Sequence, residues 1–316
     1  MLLNKMKDLR LILRTSLFLF IILGINACEK EEAAGPVTAQ IFRSIAGKQV
    51  AFTALTLNAT EWYWEFGDGE TSNEMNPVHI YSVGGVYEIT LTASRGQESV
   101  TATTEVSLDL SVYDMLTGGS GAANGKTWRI SSAHSDKDAV ALADQDMTVI
   151  ESVSAGALAL FLGLGEEYED EFTFKADGSY IHDNKNGGSL GSLVFGLATQ
   201  TPIVNVTEAS QSFGFASLAF TPEAGATFTY TEKKDLTLTV VSQADGVTTT
   251  ELTYPGVSTL SFSGNEFIGL MGFERECIIQ EITPESMRLA MFMSATQGEN
   301  YDKPSLVVIF TFEVVQ

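Results

Sequence analysis

Apolar and polar residues alternate along most of this chain in short runs rich in Thr, Val, Phe and Tyr, separated by Gly, Asp and Asn. A period of two with frequent turn residues predicts an all-β protein. Four such runs, "VAFTAL", "EWYWEF", "VYEITLTAS" and "SVTATTEVSL", form one block over residues 36–108. In "WYWEF" the large apolar residues Trp62, Trp64 and Phe66 share one parity and predict a core-facing surface. Tyr63 and Glu65 take the other face, which makes Tyr63 a candidate ligand contact. "GDGE" then breaks the strand. Asp68, between two glycines, reads as a turn residue whose side chain accepts from local backbone N–H groups, in preference to a metal-binding or catalytic carboxylate. His79, in "NPVHIY", reads as a packed core histidine.

A glycine-rich linker is expected over residues 109–125, and a second block runs from 126 to 316. Its pattern predicts a series of hairpins. Phe172 and Phe174 precede an Asp177-Gly178 turn, the strongest short hairpin signal. Phe228 and Tyr230 precede a charged "EKKD" turn, followed by Leu236, Leu238 and Val240. The same scheme is expected around Gly264-Asn265 and Pro284-Glu285, and "SLVVIFTFEVV" supplies the last strand. Seven or more strands joined in this way predict a meander closing into an antiparallel barrel or sandwich. Trp128, in "KTWRI", reads as a buried core residue. Two apolar, Gly-rich runs, 155–165 and 187–198, are unlike hairpin strands. They predict loop and helix cover over the sheet, or a rim around an apolar cavity or partner contact.

The length of 316 residues fits two domains, and 44% hydrophobic with 18% charged residues fits a packed core. The first 27 residues stand apart. Lys5, Lys7, Arg10 and Arg14 precede "SLFLFIIL", an apolar run too short to span a bilayer comfortably, and then "GINAC". A basic region, an apolar region and small residues before a cleavage point read as an export signal over 1–27. "INAC" resembles the lipobox of bacterial lipoproteins, which implies cleavage before Cys28 and its lipidation. That leaves Cys277 alone, with no disulfide expected, as a buried small hydrophobe. Formal net charge is −22, and removal of the +3 leader takes it to −25. Such a surface repels phosphate backbones and excludes nucleic acid as a partner. A phosphate-loop reading of "GGSGAANGKT" fails too, because the first glycine of that motif falls on Ser120.

"WEFGDGETSNEMNPVHIY" followed by "GGVYEITLTAS" resembles the polycystic-kidney-disease (PKD) type module, an immunoglobulin-like β-sandwich. Trp64, Phe66, Gly67, Asp68 and Gly69 match its W-x-F-G-D-G core, and Asn76, Pro77, His79 and Tyr81 its N-P-x-H-x-Y segment. The resemblance implies a spacer or interaction module. In the second block, "KTWRI", "FTFKADGSY" and "ITPESMRL" resemble lipocalin-like domains of exported Bacteroidota proteins. The acidic tether at 28–35, beginning "CEKEE", resembles the signal that sends such lipoproteins to the outer leaflet of the outer membrane; the alternative orientation faces the periplasm. The whole arrangement is similar to polysaccharide-utilisation lipoproteins that hold glycans at the cell surface. It implies a polysaccharide or oligosaccharide ligand and a protein partner in an outer-membrane uptake complex.

The acidic run "EEYEDE" is the remaining candidate chemistry. On a strand, Glu167, Glu169 and Glu171 would share one face. Same-face carboxylates at that spacing meet the separation a glycosidase needs, although the fixed E-x-D-x-x-E pattern of laminarinase-type hydrolases is missing. Glu169, Asp170 and Glu171 are candidate calcium ligands, since clustered carboxylate oxygens suit a hard cation, but the favoured reading of the run is a solvated acidic loop. Glu167, Glu169 and Asn184, with Tyr63, are the candidate ligand-binding residues. The preferred expectation is a non-catalytic surface lipoprotein that binds polysaccharide, with the PKD-type module as spacer and no resident cofactor. The alternative is a structural or adhesion lipoprotein that binds a protein partner or hydrophobic ligand through the apolar loops.

Overall fold

The structure, a computed structural model, describes residues 35–315. The leader 1–27, Cys28 and nearly all of the 28–35 tether lie outside the described residues. The fold is all-β, and the chain forms two compact units, one drawn mainly from residues up to 106 and one mainly from Ser107 onward.

The first unit holds β1 (Thr38–Ala46), β2 (Gln49–Leu57), β3 (Glu61–Glu65), β4 (Thr71–Ser72), β5 (Val78–Ile80), β6 (Gly85–Arg95) and β7 (Glu98–Leu108). They form two sheets, β1-β2-β5 and β4-β3-β6-β7. The parity of "WYWEF" sets the packing. Trp64 and Phe66 are buried, and Phe52 of β2 lies 5.4 Å from each ring. Trp62 is only half-buried and donates its indole N–H to the Thr56 hydroxyl at 3.2 Å. The turn after β3 does more than reverse the chain. Asp68 accepts the Glu70 N–H at 3.1 Å, and its other oxygen lies 2.7 Å from Nε2 of His79. His79 is buried and stacked on Phe66 at 4.2 Å. The turn carboxylate therefore ties the core histidine to the strand end. Gly67 is required here twice over: its φ is +80°, and a Cβ would meet the Glu88 carbonyl oxygen at 2.7 Å.

The second unit begins earlier than a linker would allow. Residues 109–125 contain a helix, α1 (Val112–Thr117), capped by Ser111 and with Leu116 fully buried. The buried indole of Trp128 donates to the Leu116 carbonyl at 2.9 Å, so the helix is fixed to the sheet. The chain continues through β8 (Lys126–Ile130), β9 (Ala139–Leu142), β10 (Val149–Ser152), α2 (Ala157–Leu160), a 3₁₀ turn (Glu166–Glu169), β11 (Glu171–Phe174), β12 (Tyr180–Asp183) and β13 (Gly188–Ser192). Then come α3 (Leu193–Thr199), β14 (Ile203–Asn205), α4 (Glu208–Ser212), β15 (Phe215–Ala219), β16 (Phe228–Val241), β17 (Thr249–Phe262), β18 (Cys277–Ile282), β19 (Ser286–Met293) and β20 (Leu306–Val314).

Ten of these strands make one sheet, in the order β12-β11-β8-β20-β19-β18-β17-β16, with β9 on β20 and β10 on β9. The sheet rolls until its ends touch at one bridge, Ser179 to Thr227, but it does not close into a barrel. Side-chain alternation fills both faces. On β19 and β20, Met287, Leu289, Val308, Phe310 and Phe312 enter the main core with Trp128, Phe172 and Phe174. The opposite parity, Ala290, Phe292, Val307 and Ile309, joins a second core.

Two expected turns are corrected. "EKKD" does not turn the chain: β16 is one 14-residue strand whose register shifts between Thr231 and Leu236, with Lys233 at φ +53°. A bulge bends a strand without ending it. The bend brings Leu236, Val240 and the β17 residue Tyr254 onto Ile278, Ala290 and Val307 of the second core. Gly264-Asn265 does end β17, but no strand follows until Cys277. The Asp177-Gly178 and Pro284-Glu285 turns do join paired strands, β11 to β12 and β18 to β19. The run at 187–198 is more regular than loop cover. It forms β13, in a small sheet with β15 and β14, and most of α3.

Trp64→Ala should cost about 3–5 kcal/mol of stability through the cavity it leaves. Gly67→Ala should cost about 1–3 kcal/mol through backbone strain. Urea unfolding of the full chain followed by circular dichroism checks both.

Candidate functional site

The acidic run is not a strand. Residues 166–169 form the 3₁₀ turn, and β11 starts only at Glu171. A 3₁₀ turn spreads successive side chains around its axis, so Glu167, Glu169 and Glu171 do not share a face. Glu167 and Asp170 are buried, Glu169 is exposed, and Glu171 binds Lys185 Nζ at 2.8 Å. Glu169, Asp170 and Glu171 therefore form no calcium-binding group. Among the described residues no three His, Cys, Asp or Glu side chains are gathered as metal ligands. Tyr63 stands on the exposed face of β3, 42% accessible, in the first unit. Asn184 is buried and donates to the Phe220 carbonyl at 2.9 Å, so its amide serves the scaffold. Cys277 is buried in β18, and burial pushes its thiol far above the usual range. Cys28 lies outside the described residues.

The buried members of the acidic run belong to a polar cluster that no spacing in the sequence announces. His182, from β12, places Nδ1 3.2 Å from Oε2 of Glu266 and Nε2 3.9 Å from Oδ2 of Asp170. Phe172, Phe220 and Phe267 enclose the imidazole. Burial alone would pull its pKa down, but Asp170 and Glu266 outweigh it and hold the proton on above the usual histidine range. Glu266 makes the shorter contact, and Asp170 contributes at least as much to holding the proton. Burial raises the carboxyls of Asp170 and Glu167, the latter partly offset by a hydrogen bond from Ser217. One oxygen of each, Oδ1 of Asp170 and Oε2 of Glu167, is buried without a hydrogen-bond partner.

In front of Phe220 lies an open cleft of about 460 Å³. This falls within the roughly 300–1,000 Å³ of small-ligand sites, which pair apolar rings with a few placed polar groups. Its rings are Phe195 from α3, Phe220 after β15, and Phe273 from the segment between β17 and β18. Phe195 and Phe273 meet edge to face at 5.0 Å. The polar groups are Thr199, Thr201, Asn265 and Arg275. The two threonine hydroxyls are 2.7 Å apart. Arg275 donates through one terminal nitrogen to Gly264 O at 3.1 Å and Asn265 Oδ1 at 3.0 Å, while its Nε has no partner. Burial draws the guanidinium pKa down, and Glu223, Glu266 and Glu274 pull it back. Glu266 also accepts the Glu223 backbone N–H, and Glu223 accepts that of Asn265 at 2.8 Å. The buried cluster thus braces the cleft from behind.

Phe195 lies in the apolar run expected as cover or cavity rim and Asn265 in an expected turn, but sequence pattern gave none of the cleft residues a binding role. Their one signal was the charges, Glu266 before and Glu274-Arg275 after, that bracket the apolar "FIGLMGF".

Comparison with known proteins identifies the first unit. Residues 34–109 match the family model of the PKD domain. Collagenase ColQ1 of Bacillus cereus is 47% identical over 45 residues, and collagenase ColA of Bacillus cereus is 52% identical over 40. These matches take in 14% and 12% of this chain and only 5% and 4% of the collagenases, so the chain spans a very small part of the relatives it matches. The crystal structure of the PKD1 domain of Vibrio anguillarum Epp is 22% identical, covering 25% of this chain and 99% of that one, at a TM-score of 0.24. A structure of carbohydrate-binding modules from the β-sandwich superfamily is 10% identical, covering 90% of this chain and 93% of that one, also at 0.24. A PKD domain is therefore present, and PKD domains are non-catalytic.

His182 provides a pH test. Its folded pKa is raised, so its contribution to stability is complete below about 6.5 and is lost as pH rises through the folded value. Thermal melts should show the protein losing stability above pH 6.5. His182→Gln should flatten that slope while lowering stability at pH 6.

Proposed function

We propose that the protein is a non-catalytic surface lipoprotein that binds polysaccharide, with the PKD domain as a spacer and the cleft at Arg275 as the sugar site. Cys28 is the lipid attachment point, after removal of residues 1–27. The outer membrane of a Bacteroidota-type cell, facing outward, is the location that the sequence resemblance favours. An uptake complex there supplies the protein partner.

The observation that carries the sugar reading is the lining of the cleft. Rings of Phe220 and Phe273 offer apolar faces to the C–H face of a pyranose. Arg275, Asn265, Thr199 and Thr201 offer donors and acceptors to its hydroxyls. A neutral glycan needs both and needs no net charge from a protein at −25 once the +3 leader is removed from a chain of −22.

A second reading, capture of a protein partner or hydrophobic ligand, is favoured by a different part of the same unit. Phe161 and Phe213 are exposed there in the lining of an apolar cleft.

Affinity electrophoresis of the mature protein through gels containing a panel of neutral glycans tests the first reading. At least one glycan should retard the protein. Arg275→Ala should weaken that binding roughly tenfold to a hundredfold, the worth of a hydrogen bond to a charged group. Retardation by no member would sink the reading. Cys28→Ser should abolish incorporation of labelled fatty acid in cells; continued labelling would overturn the lipid assignment.

A further inference from the structure

Strand β10 is an edge. Among the described residues it pairs only with β9, and all four of its side chains are exposed. An unpaired edge presents backbone N–H and C=O groups that an extended peptide can meet. Beside it opens the apolar cleft, lined by Ser152 from β10, Leu158, Phe161, Phe213, Phe215 and Phe310. Its volume is about 210 Å³. That is below the roughly 300 Å³ where small-ligand sites begin. It suits one large side chain delivered by a bound backbone better than a free small molecule.

Two rings of the lining are exposed, Phe161 at 63% and Phe213 at 48%, and Leu160, next to Phe161 in the chain, is 77% accessible. Yet α2, which carries Leu160 and leads into Phe161, is anchored from below. The Leu158 N–H donates to the Tyr168 hydroxyl at 3.1 Å, and that hydroxyl lies 2.7 Å from Nε2 of His134. Nδ1 of His134 lies 2.8 Å from Asp138, which also accepts the Thr311 N–H of β20 at 2.8 Å. A fixed support under an exposed apolar mouth is the arrangement of a contact surface.

Charge selects the partner. The cleft is walled almost entirely by residues within 139–174 and 186–222. Those two stretches hold nine acidic residues, of which Glu167 and Asp170 are buried and Glu171 is paired with Lys185; the cleft lining itself holds Glu151 and neither Lys nor Arg. Asp146, Glu151, Glu166, Glu169 and Glu208 are exposed among them, and Glu151 lies on β10 at the cleft. We infer that β10 and the Phe161–Phe213 cleft form a docking site for an extended peptide segment of a partner protein, which pairs with the β10 edge, inserts an aromatic or branched aliphatic side chain and carries flanking Lys or Arg. The inference rests on the second reading above and is independent of the sugar cleft.

The test uses the full mature chain and fluorescein-labelled five-residue peptides, read by fluorescence anisotropy. Lys-Val-Phe-Val-Lys should bind at least about tenfold more tightly than Glu-Val-Phe-Val-Glu or Lys-Ser-Ser-Ser-Lys, and added salt should weaken it. Phe161→Ala should weaken binding at least about tenfold, as for a central anchor. Glu151→Lys should weaken it severalfold. Both side chains are exposed, so thermal melts of these variants should match wild type. Hydrogen exchange at residues 149–152 should slow when the basic peptide binds. Equal binding of the acidic peptide, indifference to Phe161→Ala, unchanged exchange at 149–152, or displacement of the peptide by a neutral glycan overturns the proposal. The neutral apolar fluorophore N-phenylnaphthylamine separates two failures. If it binds in a Phe161-dependent way while the peptide does not, the peptide proposal falls and apolar capture stands. If neither binds, both fall.

Discussion

Burial of β19 and β20 on both faces is the constraint on which the second unit depends. Their side chains alternate between two cores, with Phe310 and Phe312 in one and Val307 and Ile309 in the other. A sheet with two apolar faces needs cover on each. Rolling the ten strands inward covers one face with the sheet itself. The bulge at Lys233 bends the long β16–β17 hairpin, and its distal half covers the other. The roll then stops at a single bridge, Ser179 to Thr227, leaving an incompletely closed sheet whose ends carry loops and small elements.

Those additions provide both candidate surfaces. The segment between β17 and β18 carries Glu266, Phe267, Phe273 and Arg275. It is held by the buried salt contact of Glu266 with His182 and by Phe267 packing on that imidazole. A buried charge without a partner is costly, so this pair fixes the segment in one place. The PKD domain follows the same logic on a smaller scale: the Asp68–His79 contact stands where a turn meets the core. In both units a histidine packed on aromatic side-chain surface and facing a carboxylate, with Phe66 against His79 and Phe172, Phe220 and Phe267 around His182, locks an irregular segment to a sheet.

Much of the fold was legible from pattern. The parity of "WYWEF", the Asp177-Gly178 and Pro284-Glu285 turns, and the burial of Trp128 all follow from alternation and turn chemistry. The misread places share one cause. "EKKD" has the composition of a turn, but cross-strand pairing with β17 on both sides carries the strand through it as a bulge. "EEYEDE" has the composition of a solvated acidic loop, but it is a 3₁₀ turn that buries Glu167 and Asp170 in one polar cluster. Residues 109–125 have the composition of a linker, but Leu116 finds a buried place and a partner in Trp128. In each case tertiary contacts overrode a local preference worth only a fraction of a kcal/mol per residue.

By itself, the sequence determined the all-β class, the PKD domain and the acidic surface, because period, turn residues and charge are local or summed properties. Only the tertiary structure decided which groups meet. It set Asn184 behind the cleft instead of in it, divided the acidic run between a buried pair and exposed or ion-paired residues, and gathered Thr199, Asn265, Phe273 and Arg275 from distant segments. It also set the exposed Phe161 and Phe213 beside a free strand edge. Contacts between residues far apart in the chain follow from how the sheet rolls and what must cover it, and no local pattern encodes that.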